Sequence, residues 1–330
     1  MRAAFLTDKK FHIERVYTPK TREKLKELFD FYPGIYSGDE ACGIPDAEVI
    51  FSTWGMPEFT EGEIEKLFPK LKVIFYGAGS VQAFARPFLA RGISVSSAWI
   101  ANSVPVAEYA AAQIVLANKG FFGAARLCTS PCGRAKAAEF SAAFPGNFET
   151  NVGIIGLGAI GSGVAERLKA YKLNVLAHDP FASPEKAERL GVRLVSLEEM
   201  FETCQTISNH CANLPETEGI LNANLFDRMK DNVIFINTGR GAQVAEQDLI
   251  RALKEKPTRT AVLDVTFPEP PIENSELYTL ENVVLTPHIA GSLGGECGRM
   301  GEFMLREAEN YINGRALEYS VTPKMLETMA

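Results

Sequence analysis

One glycine-rich segment restricts the fold of this chain more than any other feature. Residues 152–155 form a short apolar run, and the pattern G-x-G-x-x-G follows at once with Gly156, Gly158 and Gly161. A helix-forming segment comes next, and then a second apolar run that ends close to Asp179. A strand, a glycine turn, a helix and a second strand that ends at an acid together form the dinucleotide-binding βαβ unit. The segment therefore predicts a parallel α/β sheet with a dinucleotide site, and the alternative is a glycine-rich turn without a ligand.

Each residue type in this unit has a physical role. Gly156 permits a tight turn, Gly158 lets a pyrophosphate approach the backbone, and Gly161 lets the helix pack against the strand. The first helical residues, Ala159 and Ile160, would present unpaired N–H groups to the phosphates.

The acid indicates which dinucleotide binds. Asp179 can accept hydrogen bonds from both hydroxyls of an adenosine ribose, and its negative charge would repel a 2′-phosphate. We therefore expect the cofactor to be NAD (NADH), with NADP disfavoured.

The composition disfavours several classes of function. The 330 residues are enough for two domains, and 46% of them are hydrophobic and 23% charged. The net charge of −7 argues against a nucleic-acid partner, and no apolar run reaches the roughly 20 residues of a membrane span. The first residues predict a strand rather than a signal peptide, and the six cysteines form no C-x-x-C pair. We therefore expect a cytoplasmic protein without a metal site.

Alternating apolar patterns predict two α/β domains. A smaller, flavodoxin-like substrate domain is expected to combine residues 1–100 with residues 295–330. Residues 101–294 are expected to form a doubly wound Rossmann sheet that binds NAD. Residues 102–119 predict an apolar helix that links the domains, whereas residues 121–148 predict irregular structure.

The predicted strands are short apolar runs. In the first domain they lie at 3–6, 48–52, 73–76 and 93–95, with helices at 21–29 and 61–68. In the second domain they lie at 151–155, 173–177, 193–195, 205–209, 232–236, 259–264 and 282–285. A last helix over about 294–313 would return the chain to the first domain. Because ligands of such sheets bind at the carboxyl ends of strands, the residues after each run are the candidates for a site.

Three charged or titratable residues follow strands of the second domain. They are Arg240, Glu269 and His288. Taken singly, each is more often a solvated or structural residue. A guanidinium to bind a carboxylate, an imidazole to carry a proton and a carboxylate to orient that imidazole are together what hydride transfer to a 2-oxo acid requires. Their shared position at the carboxyl edge of a dinucleotide fold therefore predicts an active site.

Several segments also resemble those of a known family. They are G-L-G-A-I-G at 156–161, N-T-G-R-G at 237–241, L-D-V-T-F-P-E-P at 263–270 and T-P-H-I-A-G at 286–291, together with 102–108 and 210–217. In type and order they are similar to segments of the D-isomer-specific 2-hydroxyacid dehydrogenase family, which includes phosphoglycerate dehydrogenases and glyoxylate/hydroxypyruvate reductases. The resemblance implies an NAD-dependent oxidoreductase that interconverts a small 2-oxo acid and a D-2-hydroxy acid. It also implies a homodimer built around the 102–119 helix.

The resemblance implies roles for individual residues. Arg240 would bind the substrate carboxylate and carbonyl, His288 would be the general acid and base, and Glu269 would orient His288. Asp264 would bind the nicotinamide carboxamide. The remaining cofactor contacts would be Thr238 and Gly239 at the nicotinamide ribose, and Cys211, Pro215 and Thr217 on the adenosine side.

The predicted substrate loop departs from the family pattern. The backbone of Gly77, Ala78 and Gly79 would bind the substrate carboxylate, but the two acids common in the family's loop are missing here. Ala212 stands where a proline is common. Trp54 either lines the substrate pocket or packs in the core. These features leave the identity of the 2-oxo acid open.

Two other functions stay open at this point. A formate dehydrogenase resembles this fold but pairs the histidine with glutamine, which Glu269 disfavours. An NAD-sensing corepressor shares the fold and the three candidate catalytic residues but turns over no substrate. We expect no C-terminal regulatory domain of the kind that some phosphoglycerate dehydrogenases carry.

Overall fold

The structure, a computed structural model, describes residues 1–329, and these residues divide into two compact units. The first unit combines Met1–Ser103 with the residues from Ser292 onward, and the second is Val104–Gly291. The chain therefore leaves the first unit after residue 103 rather than 100, and returns to it after residue 291 rather than 294.

The first unit contains a five-stranded parallel sheet. In chain order its elements are β1 (Arg2–Leu6), α1 (Phe11–Val16), α2 (Pro19–Leu28), β2 (Asp30–Tyr36), β3 (Val49–Ser52), α3 (Glu61–Leu67), β4 (Val73–Tyr76), α4 (Ala85–Ala90) and β5 (Ser94–Ser97). The strand order is β2-β1-β3-β4-β5, which is the flavodoxin-like order. Every residue of β3 and β4 is buried, as expected for parallel strands that helices cover on both faces.

The second unit contains a seven-stranded parallel sheet. Helix α5 (Trp99–Ala117) leads into it, and the further elements are α6 (Phe121–Leu127), α7 (Pro131–Ala142), β6 (Phe148–Ile155), α8 (Ala159–Leu168), β7 (Lys172–His178), α9 (Pro184–Leu190), β8 (Arg193–Leu194), α10 (Leu197–Thr203), β9 (Thr206–Asn209), α11 (Ala223–Phe226), β10 (Ile234–Asn237), α12 (Glu246–Glu255), β11 (Thr260–Leu263) and β12 (Val283–Leu285). The strand order is β12-β11-β10-β9-β6-β7-β8, a Rossmann sheet with one strand added beside β11. The connections reverse between β6 and β9, which marks the ligand crevice of such a sheet. The predicted α/β fold class is confirmed.

The chain returns to the first unit in helix α13 (Glu296–Ile312). This helix packs on α1 and α2, and its apolar residues join the cluster that contains Phe51 and Phe75. A Cβ at Gly301 would lie 2.1 Å from the carbonyl oxygen of Val16. The close approach of α13 to this backbone therefore requires glycine.

The prediction of irregular structure over residues 121–148 is wrong. Helices α6 and α7 occupy most of this segment. Ser130 caps α7 by accepting a backbone hydrogen bond, and Pro131 is the first helical residue, a typical helix start. A Cβ at Gly123 would lie 2.5 Å from the ring of Phe140, so the two helices pack closely. The pair Ser130-Pro131 was the available sequence signal.

Strand β2 was not predicted from the sequence either. Pro33 and Gly34 interrupt its apolar pattern. Because β2 lies at the edge of the sheet, one side of its backbone needs no ladder partner, and proline is tolerated there.

Helix α5 contains no uninterrupted apolar run of about 20 residues, since Glu108 lies within it, but it is the one helix of residues 1–329 that could cross a membrane by length and composition. Its mean hydropathy is 1.2, and 56% of the most apolar 18-residue stretch of the helix is buried inside the protein. Ala110, Ile114 and Ala117 join an apolar cluster with Val152 and Ile154 of β6. Core helices pass the same composition test, and the packing on β6 accounts for the apolar face of α5.

Candidate active site

The glycines at the end of β6 form an open cradle in the backbone. Gly156 has a φ of +84°, and a Cβ there would lie 2.7 Å from the carbonyl oxygen of His210. A Cβ at Gly161 would lie 1.9 Å from the carbonyl oxygen of Gly156, so α8 packs directly on the turn. At Gly158, the N-cap of α8, no atom beyond its chain neighbours lies within 4 Å of the Cβ position among the described residues. Open space at Gly158 and close packing at the other two glycines fit a pyrophosphate at the helix N-terminus.

The first turn of α8 is accessible as well. Ala159 and Ile160 open the helix, and both are partly exposed. The N–H groups of a first helical turn have no partner within the helix, so these two residues suit the phosphate contacts predicted for them.

Asp179 holds the glycine loop from the end of β7. Its carboxylate oxygens accept hydrogen bonds from the N–H groups of Leu157 (2.8 Å) and Phe181 (2.9 Å). The Nζ of Lys186 donates to the carbonyl oxygen of Leu157 at 2.6 Å, so Leu157 is fixed on both sides. A carboxylate offers about four acceptor positions, and Asp179 is partly exposed. It therefore retains acceptor positions for the hydroxyls of a ribose.

His210 is a buried structural residue under the same edge of the sheet. Its Nε2 lies 2.9 Å from the hydroxyl of Ser208, and its Nδ1 lies 3.0 Å from the hydroxyl of Thr238. Burial lowers the pKa of His210 to about 3, so the ring is neutral at physiological pH. Since both ring nitrogens are engaged, His210 fixes the side chain of Thr238.

Three buried side-chain amides hold the loop after β10, and sequence reasoning missed them. Asn209 and Asn237 are paired in the register of β9 and β10. The Nδ2 of Asn209 donates to Oδ1 of Asn237 (3.0 Å) and to Oε1 of Gln243 (2.6 Å). Asn237 accepts from the N–H of Gly239 (3.0 Å) and donates to the carbonyl oxygen of Arg240 (3.2 Å). The backbone at Gly239 and Arg240 is therefore fixed by side chains at the ends of two neighbouring strands.

The same glutamine holds the loop after β9. The Nε2 of Gln243 donates to the carbonyl oxygen of Cys211 at 2.8 Å. The hydroxyl of Thr217 donates to the carbonyl oxygen of Ala212 at 2.7 Å and closes the loop. Pro215 begins a short 3-10 turn that ends at Thr217. The three residues predicted for the adenosine side thus share one ordered loop.

Arg240 follows β10 and is partly buried. Its Nη1 donates to the carbonyl oxygen of Gly239 at 2.7 Å. Burial lowers the pKa of the guanidinium and the Glu269 carboxylate raises it, and arginine keeps its charge in either case. A Cβ at Gly241 would lie 1.9 Å from the carbonyl carbon of Thr266. The loop with Arg240 therefore packs directly on the loop with Glu269.

His288 and Glu269 form a hydrogen-bonded pair. The Nδ1 of His288 lies 2.7 Å from Oε1 of Glu269, and the two side chains are 46% and 41% exposed. Because Glu269 occupies Nδ1, Nε2 is the ring nitrogen left for a ligand. The backbone of His288 has a φ of +54°, a left-handed conformation that costs a non-glycine residue roughly 1–3 kcal/mol unless its surroundings hold it.

Asp264 holds that conformation, a role that sequence reasoning missed. It is 3% exposed, and its Oδ1 accepts from the hydroxyl of Thr286 (2.6 Å) and the N–H of Ile289 (2.8 Å). Its Oδ2 accepts from the N–H of Ala290 at 2.9 Å. Its carbonyl oxygen accepts from the N–H of His288 at 3.0 Å. The nicotinamide contact predicted for Asp264 stays a prediction, and it would have to use the acceptor position that remains on Oδ2.

The predicted substrate loop follows β4 in the first unit. A Cβ at Gly77 would lie 2.6 Å from the side chain of Val16, so the loop packs tightly. The hydroxyl of Ser97 lies 2.9 Å from the carbonyl oxygen of Ala78 and 2.7 Å from that of Gly79. Within residues 1–329, the N–H groups of Ala78 and Gly79 donate to no acceptor. The carbonyl groups of the loop are thus held by Ser97, and two N–H groups stay available.

Trp54 follows β3 in the first unit and is partly buried. It packs against both apolar clusters of that unit, and its ring centroid lies 5.4 Å from that of His12. Its carbonyl oxygen accepts from the hydroxyl of Thr7 at 2.9 Å. These contacts are those of a core residue, and a role in a pocket stays a prediction.

The fold and this arrangement define a class of protein. A Rossmann sheet with a glycine cradle and a strand-end acid is a dinucleotide-binding domain, and here an arginine and a histidine–carboxylate pair follow other strands at their carboxyl ends. Residues 134–290 match the family described as D-isomer specific 2-hydroxyacid dehydrogenase, NAD binding domain. This part of the chain belongs to the family, and the resemblance found in the sequence is confirmed for it.

Two curated proteins and one solved structure illustrate what the chain is similar to. It is 35% identical to D-3-phosphoglycerate dehydrogenase of Archaeoglobus fulgidus over 240 residues, which are 72% of this chain and 44% of that protein. It is 34% identical to D-3-phosphoglycerate dehydrogenase of Methanocaldococcus jannaschii over 280 residues, 83% and 52% of the two chains. The chain thus spans about half the length of these curated relatives. The solved structure of D-mandelate dehydrogenase from Rhodotorula graminis has the same fold, with a TM-score of 0.82 and 20% identity over 97% of each chain.

Proposed function

We propose that this protein is an NAD-dependent oxidoreductase that interconverts a small 2-oxo acid and a D-2-hydroxy acid. The observation that carries the proposal is the 2.7 Å contact between Nδ1 of His288 and Glu269. A carboxylate at Nδ1 orients the ring and leaves Nε2 to carry an exchangeable proton. Arg240 and the glycine cradle follow strands of the same sheet, and the match of residues 134–290 to the family supports the assignment.

The residues of the chain would divide the reaction between them. Bound NADH would supply the hydride. Arg240 would bind the substrate carboxylate and draw charge from the carbonyl oxygen. His288 would donate the proton on Nε2 to that oxygen during reduction and take it back during oxidation. Glu269 would keep the ring in one orientation through its contact with Nδ1.

The loop at Gly77, Ala78 and Gly79 would contribute N–H groups to an anionic substrate. Two observations in the first unit support this proposal: Ser97 lies against the carbonyl oxygens of Ala78 and Gly79, and their N–H groups make no hydrogen bond within residues 1–329. Trp54 would line the same pocket.

NAD rather than NADP is the proposed cofactor. Asp179 is fixed by the N–H groups of Leu157 and Phe181, so its charge stays where the ribose would bind. Lys186, a cation of the following helix, donates to the carbonyl oxygen of Leu157 and is therefore engaged. A 2′-phosphate would meet a fixed negative charge, whereas two hydroxyl groups would find an acceptor.

Oxidation of NADH with a panel of 2-oxo acids tests the proposal. Glyoxylate, hydroxypyruvate, 3-phosphohydroxypyruvate and branched 2-oxo acids form the panel, and NADPH replaces NADH in parallel. We expect turnover of at least one acid to the D-product, with a clear preference for NADH. Tight NADH binding without turnover of any acid would favour a corepressor-like binding protein. Reduction of NAD⁺ by formate would favour a formate dehydrogenase.

We further propose that the protein is a cytoplasmic homodimer that pairs through α5. This proposal rests on the family resemblance. Light scattering after size exclusion measures the mass in solution, and a mass of one chain at micromolar concentration would contradict the dimer.

A further inference from the structure

We propose that Tyr109 is a positioning residue for His288, and that it acts through Thr286 and Asp264. The inference rests on the proposed function, in which His288 carries the proton. It adds a side chain of α5 to a site that otherwise consists of residues at strand ends.

The hydrogen bonds along this chain of residues have one consistent direction. A carboxylate only accepts, so the hydroxyl of Thr286 donates its proton to Oδ1 of Asp264, which lies 2.6 Å away. The hydroxyl of Tyr109 lies 3.3 Å from Oγ1 of Thr286. Since the proton of Thr286 is already used, Tyr109 is the donor in that contact. Burial also raises the pKa of Tyr109, so the phenol keeps the proton that it donates.

Asp264 connects this series of hydrogen bonds to residues on both sides of His288. Thr286 precedes His288 by two residues, and Ile289 and Ala290 follow it directly. All three donate to the carboxylate of Asp264. The loop is therefore tied to one side chain around the residue that has a φ of +54°.

The left-handed backbone of His288 determines the direction of its imidazole ring. A residue in the left-handed conformation directs its side chain differently from a residue with the usual negative φ. At His288 that direction leads to Oε1 of Glu269, 2.7 Å from Nδ1. Loss of the donor at Tyr109 would remove one of the two hydrogen bonds that hold the hydroxyl of Thr286, and it would weaken the contact of Thr286 with Asp264 that keeps the loop closed.

Two substitutions remove the hydroxyl groups with little change in volume. They are Tyr109→Phe and Thr286→Val, and Thr286→Ser is the variant that keeps the hydroxyl. Tyr171→Phe is the matched control, because Tyr171 lies in the same unit and its hydroxyl makes no hydrogen bond within residues 1–329.

The kinetic expectation is a loss in kcat without a loss in cofactor binding. On the best acid of the panel, Tyr109→Phe should lower kcat about tenfold, the size expected for one hydrogen bond, and Thr286→Val should lower it further. The Kd of NADH should stay within about twofold of the control. The double variant should be no slower than Thr286→Val alone, since residues that act as one unit are not additive. Thr286→Ser should keep most of the activity.

A second readout needs no substrate. The chain has four histidines, so labelling with ¹⁵N-histidine yields two ring-nitrogen signals from each of four residues, and the loss of one pair in His288→Gln identifies the Nδ1 signal of His288. Tyr109→Phe and Thr286→Val should move this signal toward the one seen in Glu269→Gln, and Tyr171→Phe should not. Unchanged ring signals in both variants would overturn the inference, as would a kcat within about twofold of the control. If no acid of the panel is turned over, the ring signals still decide the inference while the proposed function fails separately.

Discussion

The chemistry proposed for this protein depends on one ring nitrogen, Nε2 of His288, because Glu269 occupies the other at 2.7 Å. Replacing His288 with glutamine keeps a hydrogen-bond donor but removes the group that transfers a proton. We expect His288→Gln to lower kcat by about 10²–10⁴-fold while the Kd of NADH changes by less than about twofold. Steady-state kinetics and fluorescence titration of NADH measure the two quantities. Turnover close to that of the unmodified protein would show that His288 is not the acid.

A second residue-scale prediction concerns His210 and the free energy of unfolding. Its pKa is about 3 in the folded chain because the ring is buried, and about 6.5 when unfolded. Below pH 6.5 the unfolded state binds a proton at His210, whereas the folded state does not. The stability of the folded state that depends on neutral His210 is therefore lost as the pH falls. The loss is about 1.4 kcal/mol per pH unit between pH 6.5 and 3, or about 2 kcal/mol at pH 5.

Urea unfolding at pH 7.5 and pH 5 measures this contribution of His210. His210→Gln should show a smaller difference between the two pH values than the unmodified protein, because glutamine does not titrate. His178→Gln is the control, since His178 is partly exposed. Equal differences in all three proteins would contradict the prediction.

At the scale of elements, the buried strands were predictable and the edges were not. Parallel strands covered on both faces are continuous apolar runs, so β3, β4, β10 and β11 stand out in the sequence. The edge strand β2 contains Pro33 and Gly34, and its pattern reflects solvent on one side rather than burial. Helices α6 and α7 mainly contact each other and bury little apolar surface, so their sequences lack a clear periodic face.

The residues of the candidate site also fall into those that the sequence predicts and those that it does not. The rule that ligands bind after strands identified Asp179, Arg240 and His288, since it depends only on where apolar runs end. The amide network of Asn209, Asn237 and Gln243 was not predicted, because asparagine and glutamine are common in loops. Two asparagines that end neighbouring buried strands were the available signal. The distances within such a network depend on register, and no single strand contains that information.

Gln243 provides a test of the loops after β9 and β10. Gln243→Leu would remove one of the two acceptors of the Asn209 amide and leave the carbonyl oxygen of Cys211 without its donor, at a cost of about 2–3 kcal/mol in the free energy of unfolding. Because both loops lie at the proposed cofactor site, the affinity for NADH should fall as well. Gln247→Leu is the matched control on the exposed side of α12. Denaturant unfolding and NADH titration measure the two effects, and equal values for both variants would contradict the role of Gln243.

At the scale of the whole molecule, each unit has its own apolar core. Two clusters consist only of residues of the first unit, and two consist only of residues of the second. Units with separate cores are able to unfold in separate transitions. Both tryptophans, Trp54 and Trp99, lie in the first unit. Tryptophan fluorescence therefore reports on the first unit, whereas far-ultraviolet circular dichroism reports on both.

This placement predicts which transition NAD⁺ should move. A ligand that binds only the folded state at 100 times its Kd adds about 2.7 kcal/mol to stability. Since the glycine cradle lies in the second unit, NAD⁺ should raise the Tm seen by circular dichroism more than the Tm seen by tryptophan fluorescence. Equal shifts in both signals would contradict a site that the second unit holds by itself.

Gly158 makes this test specific to the cradle. The described residues leave open space where a Cβ at Gly158 would lie, and its φ of −62° suits any L-residue. Gly158→Ala should therefore fold with an unchanged Tm, while its methyl group occupies the space that a pyrophosphate needs. Gly62→Ala is the control, because Gly62 also has open space around its Cβ position but belongs to α3 in the first unit. We expect NAD⁺ to stabilise Gly62→Ala fully and Gly158→Ala hardly at all, and full stabilisation of both would place the pyrophosphate elsewhere.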